Sequence, residues 1–477
     1  MTKREFIELL HGNLGHAPTA GQIALFERLT EYLVKTGERE IFLVRGYAGT
    51  GKTTVVRAIT ASFPKTKLKT VLLAPTGRAA KVMSAYSGQT AYTIHKRIYF
   101  TQSSEFGMSF SLQRNLHRNT LFIVDEASMI GAENDATEHD LLSDLLEYVA
   151  SGEQCRLMLI GDDAQLPPVG LEDSPALSKK VLEARYFASV TEVHLTEVVR
   201  QAADSGILWN ATQIRDQLNA QTHTWPKLEI AQFTDVKRIS GMELADELQW
   251  AYDRYGKEDV LVITRSNKSA GLYNRQIRVR IHWQENEIAV GDLLMVVRNN
   301  YYWMPDDVPQ EFIANGDTAE IVRLGKTQER GSYRFIDAVL RFTDYADTPE
   351  LEVTLMLNVL DSEQASMNYT QYKELAGLIE ADYADYHLKA ERLKKVKQDP
   401  LMNALQIKFA YAVTCHKAQG GQWKCVFVDQ GYLTEETIDR NYLRWLYTAI
   451  TRATERIFLV NFNDAFFGQE GEIAYID

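Results

Sequence analysis

The stretch "FLVRGYAGTGKTTVVRAIT", residues 42 to 60, constrains the fold more than any other part of this chain. An apolar run ends at Gly46, a turn spaced by glycines ends at Gly51-Lys52-Thr53, and an amphipathic run begins at Thr54. Strand, turn and helix in that order, around G-x-x-x-x-G-K-T, predict a P-loop. Glycines let backbone N–H groups close around a phosphate, and the start of the following helix adds positive potential. On this reading Gly46, Ala48, Gly49, Thr50, Gly51 and Thr54 shape the cradle. Lys52 reaches the terminal phosphates of a nucleotide, and the Thr53 hydroxyl ligates Mg²⁺.

Two sets of strand-like runs follow this pattern. Runs at 41–46, 70–75, 120–126 and 155–162 alternate with helical stretches, and a second set lies at 259–266, 410–420, 424–431 and 456–462. Short apolar runs separated by helical patterns imply buried parallel strands, so two α/β sheets are expected. Residues 1–40 read as helices. Within the second set the periodicity shortens, at 288–300, 312–325, 334–342 and 351–360, which predicts a small antiparallel barrel with a turn at Asn315-Gly316. Residues 369–398 read as one or two helices whose basic end (Lys389, Arg392, Lys394, Lys395, Lys397) is a solvated face. The segment 97–113 predicts a projecting hairpin with a polar turn at Ser103-Ser104-Glu105.

The 477 residues suffice for two to four domains, and 45% hydrophobic with 24% charged residues describes a globular protein. Three cysteines without C-x-x-C spacing argue against a disulfide framework or a zinc site and for a reducing compartment. No signal-like segment or run of transmembrane length is read, so a cytoplasmic location is expected. The net charge of −12 lacks the usual basic footprint of a nucleic-acid binder. A narrow channel can still be locally positive on an acidic protein.

The strand "LFIVDEAS" puts Asp125 and Glu126 at its C-terminal end, the ligand edge of a parallel sheet. Asp125 can hold Mg²⁺, and Glu126 can polarise an attacking water as general base. In "IGDDAQLPPV", Gln165 offers an amide suited to sensing hydrolysis, and in "PTAGQ" the Gln22 amide can pair with adenine. Arg200 of "HLTEVVRQ" and Arg452 of "YTAITRATER" are candidates to deliver positive charge across a cleft to the transferring phosphoryl group.

In order, "GYAGTGKTT", "LAPTGRAA", "TIHK", "VDEAS", "GDDAQLPPV", "LTEVVRQ", "VTCHKAQGGQ" and "YTAITRA" resemble the motifs of superfamily 1 helicases, in the RecD-like and Dda-like branch, superfamily 1B. The resemblance covers nearly the whole chain. It implies two RecA-like P-loop domains, a β-hairpin insertion in the first, and an SH3-like β-barrel plus helical insertion in the second. The expected boundaries are 1–170 for the amino-terminal helices and first domain, with its hairpin insertion at about 96–118. The second domain takes 171–287 and 401–477, and its insertion 288–400. The resemblance assigns Lys52, Thr53, Asp125, Glu126, Gln165, Arg200 and Arg452 the roles given above, places adenine on Gln22, and puts Gly420 at the nucleotide. It lays single-stranded DNA along Pro75, Thr76, Thr93, His95, Thr414, His416 and Lys417.

The activity implied is an ATP- and Mg²⁺-dependent DNA helicase, a monomer moving 5′ to 3′ on single-stranded DNA and opening tailed duplex, with unidentified partners in replication, recombination or repair. Phe106 is the expected wedge at the duplex junction, supported by Tyr99, Phe100 and Phe110. RecD subunits carry an additional amino-terminal docking domain. With about 40 residues ahead of the P-loop, membership in a RecD-type nuclease complex is not expected. Two other readings stay open: an RNA helicase or remodeller of the same superfamily, and an ATP-switched DNA-binding or loading factor that does not unwind.

Overall fold

The computed structural model describes residues 2–35, 37, 39–104, 107–131, 140–199, 204–222, 224–305, 312–343, 349–360 and 362–467, with backbone alone at 101–104 and 107–110. Its first sheet is parallel throughout. The strand order is Ala91–Thr93, Lys69–Ala74, Thr120–Val124, Arg156–Gly161, Glu40–Gly46, Ser189–Leu195. The inner strands carry the apolar runs seen in the sequence, and Thr120–Val124 is buried at every position. The helices Lys3–Leu14, Ala20–Tyr32 and Lys52–Ser62 cover one face through Phe6, Leu10, Leu25, Phe26, Val55 and Ile59. Leu141–Ala150 and Lys179–Tyr186 cover the other through Leu142, Leu145 and Leu182.

The expected domain boundary at 170 is too early. Helix Lys179–Tyr186 and strand Ser189–Leu195 complete the first sheet beside the P-loop strand. This edge strand, "SVTEVHL", is only partly buried, so it lacks the unbroken apolar signature of an inner strand.

The second sheet is also parallel, in the order Ala412–Thr414, Val260–Thr264, Trp423–Asp429, Ala453–Val460, Val236–Ile239. The run expected as a strand over 410–420 yields three strand residues and then a short helix, Cys415–Ala418. Edge strands Ala91–Thr93 and Val236–Ile239, three and four residues long, were too short to register as periodic segments.

A closed barrel of Leu293–Val296, Thr318–Arg330, Tyr333–Phe342, Leu351–Met356 and Leu405–Phe409 sits on the second sheet. Its last strand extends the insertion to 409 instead of 400. "LQIKF" runs straight into the apolar segment of the next sheet strand, so the sequence alone offers no break there. The tight hairpin turn is Gly331-Ser332, with Gly331 at φ +59°. Asn315-Gly316 lies instead in a turn just ahead of Thr318–Arg330, the Asp317 N–H donating to the Ala314 carbonyl and the Gly316 N–H to the Val296 carbonyl. Helices Tyr369–Asp382 and Lys389–Lys397 pack on the barrel through Leu375, Ile379 and Val396 against Tyr333 and Phe335.

The hairpin in the first domain pairs Tyr99–Ser104 with Gly107–Leu112, in register from Tyr99↔Leu112 to Ser104↔Gly107. Pairing therefore continues through Ser103 and Ser104, where a turn was expected. Tyr99 is buried and its hydroxyl donates to Asp144 at 2.6 Å, while Phe100 is exposed. Phe106 lies outside the described residues, as does the Phe110 side chain.

Candidate nucleotide site and nucleic-acid track

The P-loop holds its shape through glycines at positive φ, +74° at Gly49 and +84° at Gly51. Gly51 caps the helix Lys52–Ser62 without a side-chain hydrogen bond, so the first N–H groups of that helix remain available to an anion. A Cβ on Gly51 would come within 2.4 Å of Gln22 Nε2. Thr50 Oγ1 donates to the Tyr47 carbonyl and Thr54 Oγ1 to the Gly51 carbonyl, each closing the turn locally. Lys52 Nζ donates to the Gly46 and Tyr47 carbonyls at 2.5 and 2.9 Å and lies 3.8 Å from Asp162. Thr53 is exposed beside it.

Gln22 is fully buried. Its carbonyl accepts the Thr19 N–H in a capping box, and its amide donates to the Thr50 carbonyl at 3.3 Å. One amide hydrogen and one lone pair remain for a base. Its first duty here is to tie the helix Ala20–Tyr32 to the P-loop.

Asp125 and Glu126 follow the strand Thr120–Val124. Both Asp125 oxygens accept, from the Glu126 N–H at 2.8 Å and from the Tyr86 hydroxyl at 2.5 Å. Burial and the Asp125 charge hold the Tyr86 phenol well above its usual range, which keeps it a donor. Glu126 stands at φ +53°, a conformation costing a non-glycine residue on the order of 1–3 kcal/mol and concentrated at functional sites. Burial raises its carboxyl above the ordinary range, and Arg452 opposes that shift. A raised carboxylate is the better proton acceptor near neutral pH. Asp125 and Thr53 offer oxygen donors only, and no cluster of three His, Cys, Asp or Glu occurs among the described residues. A few protein oxygens, completed by phosphate and water, suit Mg²⁺.

The second domain closes this site. Arg452, 3% exposed, is held by the Thr448 and Gly421 carbonyls and reaches within 3.9 Å of Glu126. Gln165 is buried with its Oε1 unpartnered. Arg200 lies outside the described residues. The segment leading to it leaves the first domain's edge strand, and the Val199 N–H donates to the Gly49 carbonyl at 3.0 Å.

The track residues occupy the C-terminal ends of parallel strands. Thr76 and Thr93 cap the helices Gly77–Ser87 and Ile94–Ile98, and Thr414 precedes Cys415–Ala418 without a side-chain cap bond. Pro75 sits beside Thr76, half-buried. Burial holds the His95 and His416 imidazoles below their usual pKa. Lys417 is pushed down to about 8 by burial and the nearby Lys408. Thr414 and Lys417 line a cavity of about 260 Å³ with Lys268, Arg275 and Lys408, a positive site on an acidic protein. Gly420 belongs to this side. At φ +71° its Cβ would stand 2.8 Å from Ala79 and 3.4 Å from Thr76, so it packs close to the first domain beside the expected track. Nearby, the Arg78 guanidinium stacks 4.1 Å over Trp423, joining the domains on this face.

Residues 19–231 match an AAA domain model and residues 409–460 the UvrD-like helicase C-terminal domain. The ATP-dependent RecD2 DNA helicase of Deinococcus radiodurans is 24% identical over 92% of this chain and 50% of its own, so the chain spans half of that relative. The Dda helicase of phage T4 is 24% identical over 87% of this chain and 93% of its own. Over most of its length the chain is similar to superfamily 1B helicases. A solved structure of Pif1 helicases, described for unwinding at forked duplex DNA, covers 95% of each chain at 15% identity and a TM-score of 0.49.

The sequence reading missed most of one helix face. Along Arg440–Ile450, Arg440, Arg444, Tyr447 and Thr448 turn toward the first domain, as the expected Arg452 does just beyond it. Arg440 and Arg444 pair with Asp173 at 2.9 and 2.7 Å. Thr448 accepts the Leu166 N–H at 2.9 Å, and Tyr447 donates to Asp162 at 2.7 Å. Polar residues at helical spacing within "RNYLRWLYTAITR", otherwise apolar, are the signal that could have found them.

Proposed function

We propose that the chain is an ATP-driven motor that moves 5′ to 3′ on single-stranded DNA and separates duplex, hydrolysing ATP between its two parallel-sheet domains. The observation that carries this reading is Arg452, delivered from the second domain to Glu126 beside the P-loop. Lys52 and Arg452 neutralise charge on the phosphates from opposite sides of the cleft. Glu126 takes the proton of the attacking water, and Gln165, with a free buried carbonyl oxygen, is placed to accept from that water. Thr53 and Asp125 would hold Mg²⁺, which supplies charge neutralisation on the phosphates. The remaining amide hydrogen of Gln22 is available to the base. Pro75, Thr76, Thr93 and His95 on the first domain, with Thr414, His416 and Lys417 on the second, form the path for the strand. Opening and closing of the cleft then changes the spacing between two grips on one strand. The named activities of RecD2 and Dda support the DNA substrate and the helicase class.

Strand displacement on duplexes carrying a single 5′ or 3′ tail tests this directly. Displacement on the 5′ tail alone is expected. Displacement on the 3′ tail alone reverses the polarity, and DNA-stimulated ATPase without displacement on either makes the protein a loading factor. Stimulation by RNA but not by DNA of equal length assigns an RNA substrate.

A further inference from the structure

Tyr447 sits at the junction of three parts that must act together, yet it belongs to none of the roles above. It is 1% exposed on the helix Arg440–Ile450 of the second domain. Its hydroxyl oxygen accepts the N–H of Ala48 in the P-loop at 2.8 Å and donates its proton to Asp162 Oδ2 at 2.7 Å. That same carboxylate oxygen faces Lys52 Nζ at 3.8 Å. Asp162 is itself fully buried, and its other oxygen accepts the Ala164 N–H at 3.0 Å. A chain of contacts therefore runs from the P-loop backbone through the phenol and a buried carboxylate to the P-loop lysine.

We propose that Tyr447 is a positioning residue that reports the state of the P-loop to the second domain and sets Arg452 for hydrolysis. This rests on the ATP-motor reading. The physical reason is that a buried carboxylate must be balanced by its neighbours. Lys52 divides its donors between the Gly46 and Tyr47 carbonyls and stands near Asp162. Phosphates compete for that ammonium. As Lys52 turns to them, the Tyr447 hydroxyl carries more of the stabilisation of Asp162, and charge-assisted hydrogen bonds of this kind are the strong ones. Nucleotide binding thereby strengthens the hold on the helix Arg440–Ile450. Arg452 follows that helix by two residues and is bonded to the Thr448 carbonyl within it. The signal and the finger thus move on one rigid element.

The test compares Tyr447→Phe with Tyr442→Phe on the full chain. Tyr442 lies on the same helix, is equally buried, and its hydroxyl is without a hydrogen-bond partner. Tyr447→Phe is expected to lower DNA-stimulated kcat by roughly 10- to 100-fold, the scale of one hydrogen bond to a charged group. Binding of a non-hydrolysable ATP analogue weakens by much less than kcat falls, the melting temperature drops by about a few degrees because the Ala48 N–H and Asp162 lose a partner, and Tyr442→Phe behaves as wild type. Adding Asp162→Asn to Tyr447→Phe costs less than its effect alone, because the two act through one bond. Wild-type kcat in Tyr447→Phe, or a loss that appears wholly in analogue binding, overturns the proposal. The motor reading fails separately, if Lys52→Ala hydrolyses ATP as wild type does.

Discussion

Two strand–turn–helix crossings in this molecule share one plan and differ in the length of the turn and in the residue that caps the helix. In the first domain the strand Glu40–Gly46 enters the helix Lys52–Ser62 through Gly51, which has no side chain to cap it. In the second domain the strand Val260–Thr264 enters the helix Asn267–Arg280 through Ser266, whose hydroxyl accepts the Ser269 N–H at 3.0 Å. A serine cap satisfies the helix from within, whereas the glycine leaves its donors to a ligand. The comparison teaches that the phosphate site is a helix start left uncapped. The second sheet gave up that option and supplies Arg452 and Tyr447 instead.

The largest test of this contrast removes the phosphate grip. Lys52→Ala is expected to abolish ATP turnover with the fold retained. Gly51→Ser, which copies the second domain's cap, is expected to abolish nucleotide binding, because its Cβ meets Gln22 Nε2 and the residue is held at φ +84°. Nucleotide binding at the wild-type level in Gly51→Ser would break the comparison. Next in size, Arg452→Ala should lower DNA-stimulated turnover by about 10³-fold, the scale of an arginine finger, while ATP still binds. Steady-state hydrolysis and analogue binding measured together separate the two effects.

A smaller effect is expected at the track. Lys417→Ala should weaken single-strand binding about uniformly across sequences and lower the salt slope by about 1. Its ammonium is depressed to about 8, so the charged form that attracts phosphate is lost as pH rises through that value. Bound phosphate raises the pKa again, and affinity should therefore decline above pH 8 in the wild type. Lys417→Arg, which keeps its charge, should show no such decline in fluorescence anisotropy titrations. The smallest change is Ser266→Ala. Loss of one cap should cost about 1 kcal/mol of stability by denaturant unfolding and leave ATP binding untouched. A loss of ATP binding there would show that the second crossing also serves the nucleotide.

Much of the site was legible because its chemistry is local. Gly49, Gly51 and Lys52 act through backbone conformation and a neighbouring side chain, and Asp125 and Glu126 through their place at a strand end. Gly420 was read at the nucleotide from its motif, and a side chain there would meet Ala79 and Thr76 of the first domain. Strand Ser189–Leu195 escaped notice because an edge strand half open to solvent needs no apolar run.

The sequence by itself determined the two parallel sheets, the inserted barrel, the hairpin and the P-loop, since each is written in periodicity or in glycine spacing within a few residues. Tertiary structure alone decided that Tyr447 joins Ala48 to Asp162, that Arg444 holds Asp173, and that Trp423 receives Arg78. Those partners are separated by hundreds of residues. A tyrosine or arginine on a helix acquires its role from the charge placed opposite it, and no local pattern carries that information.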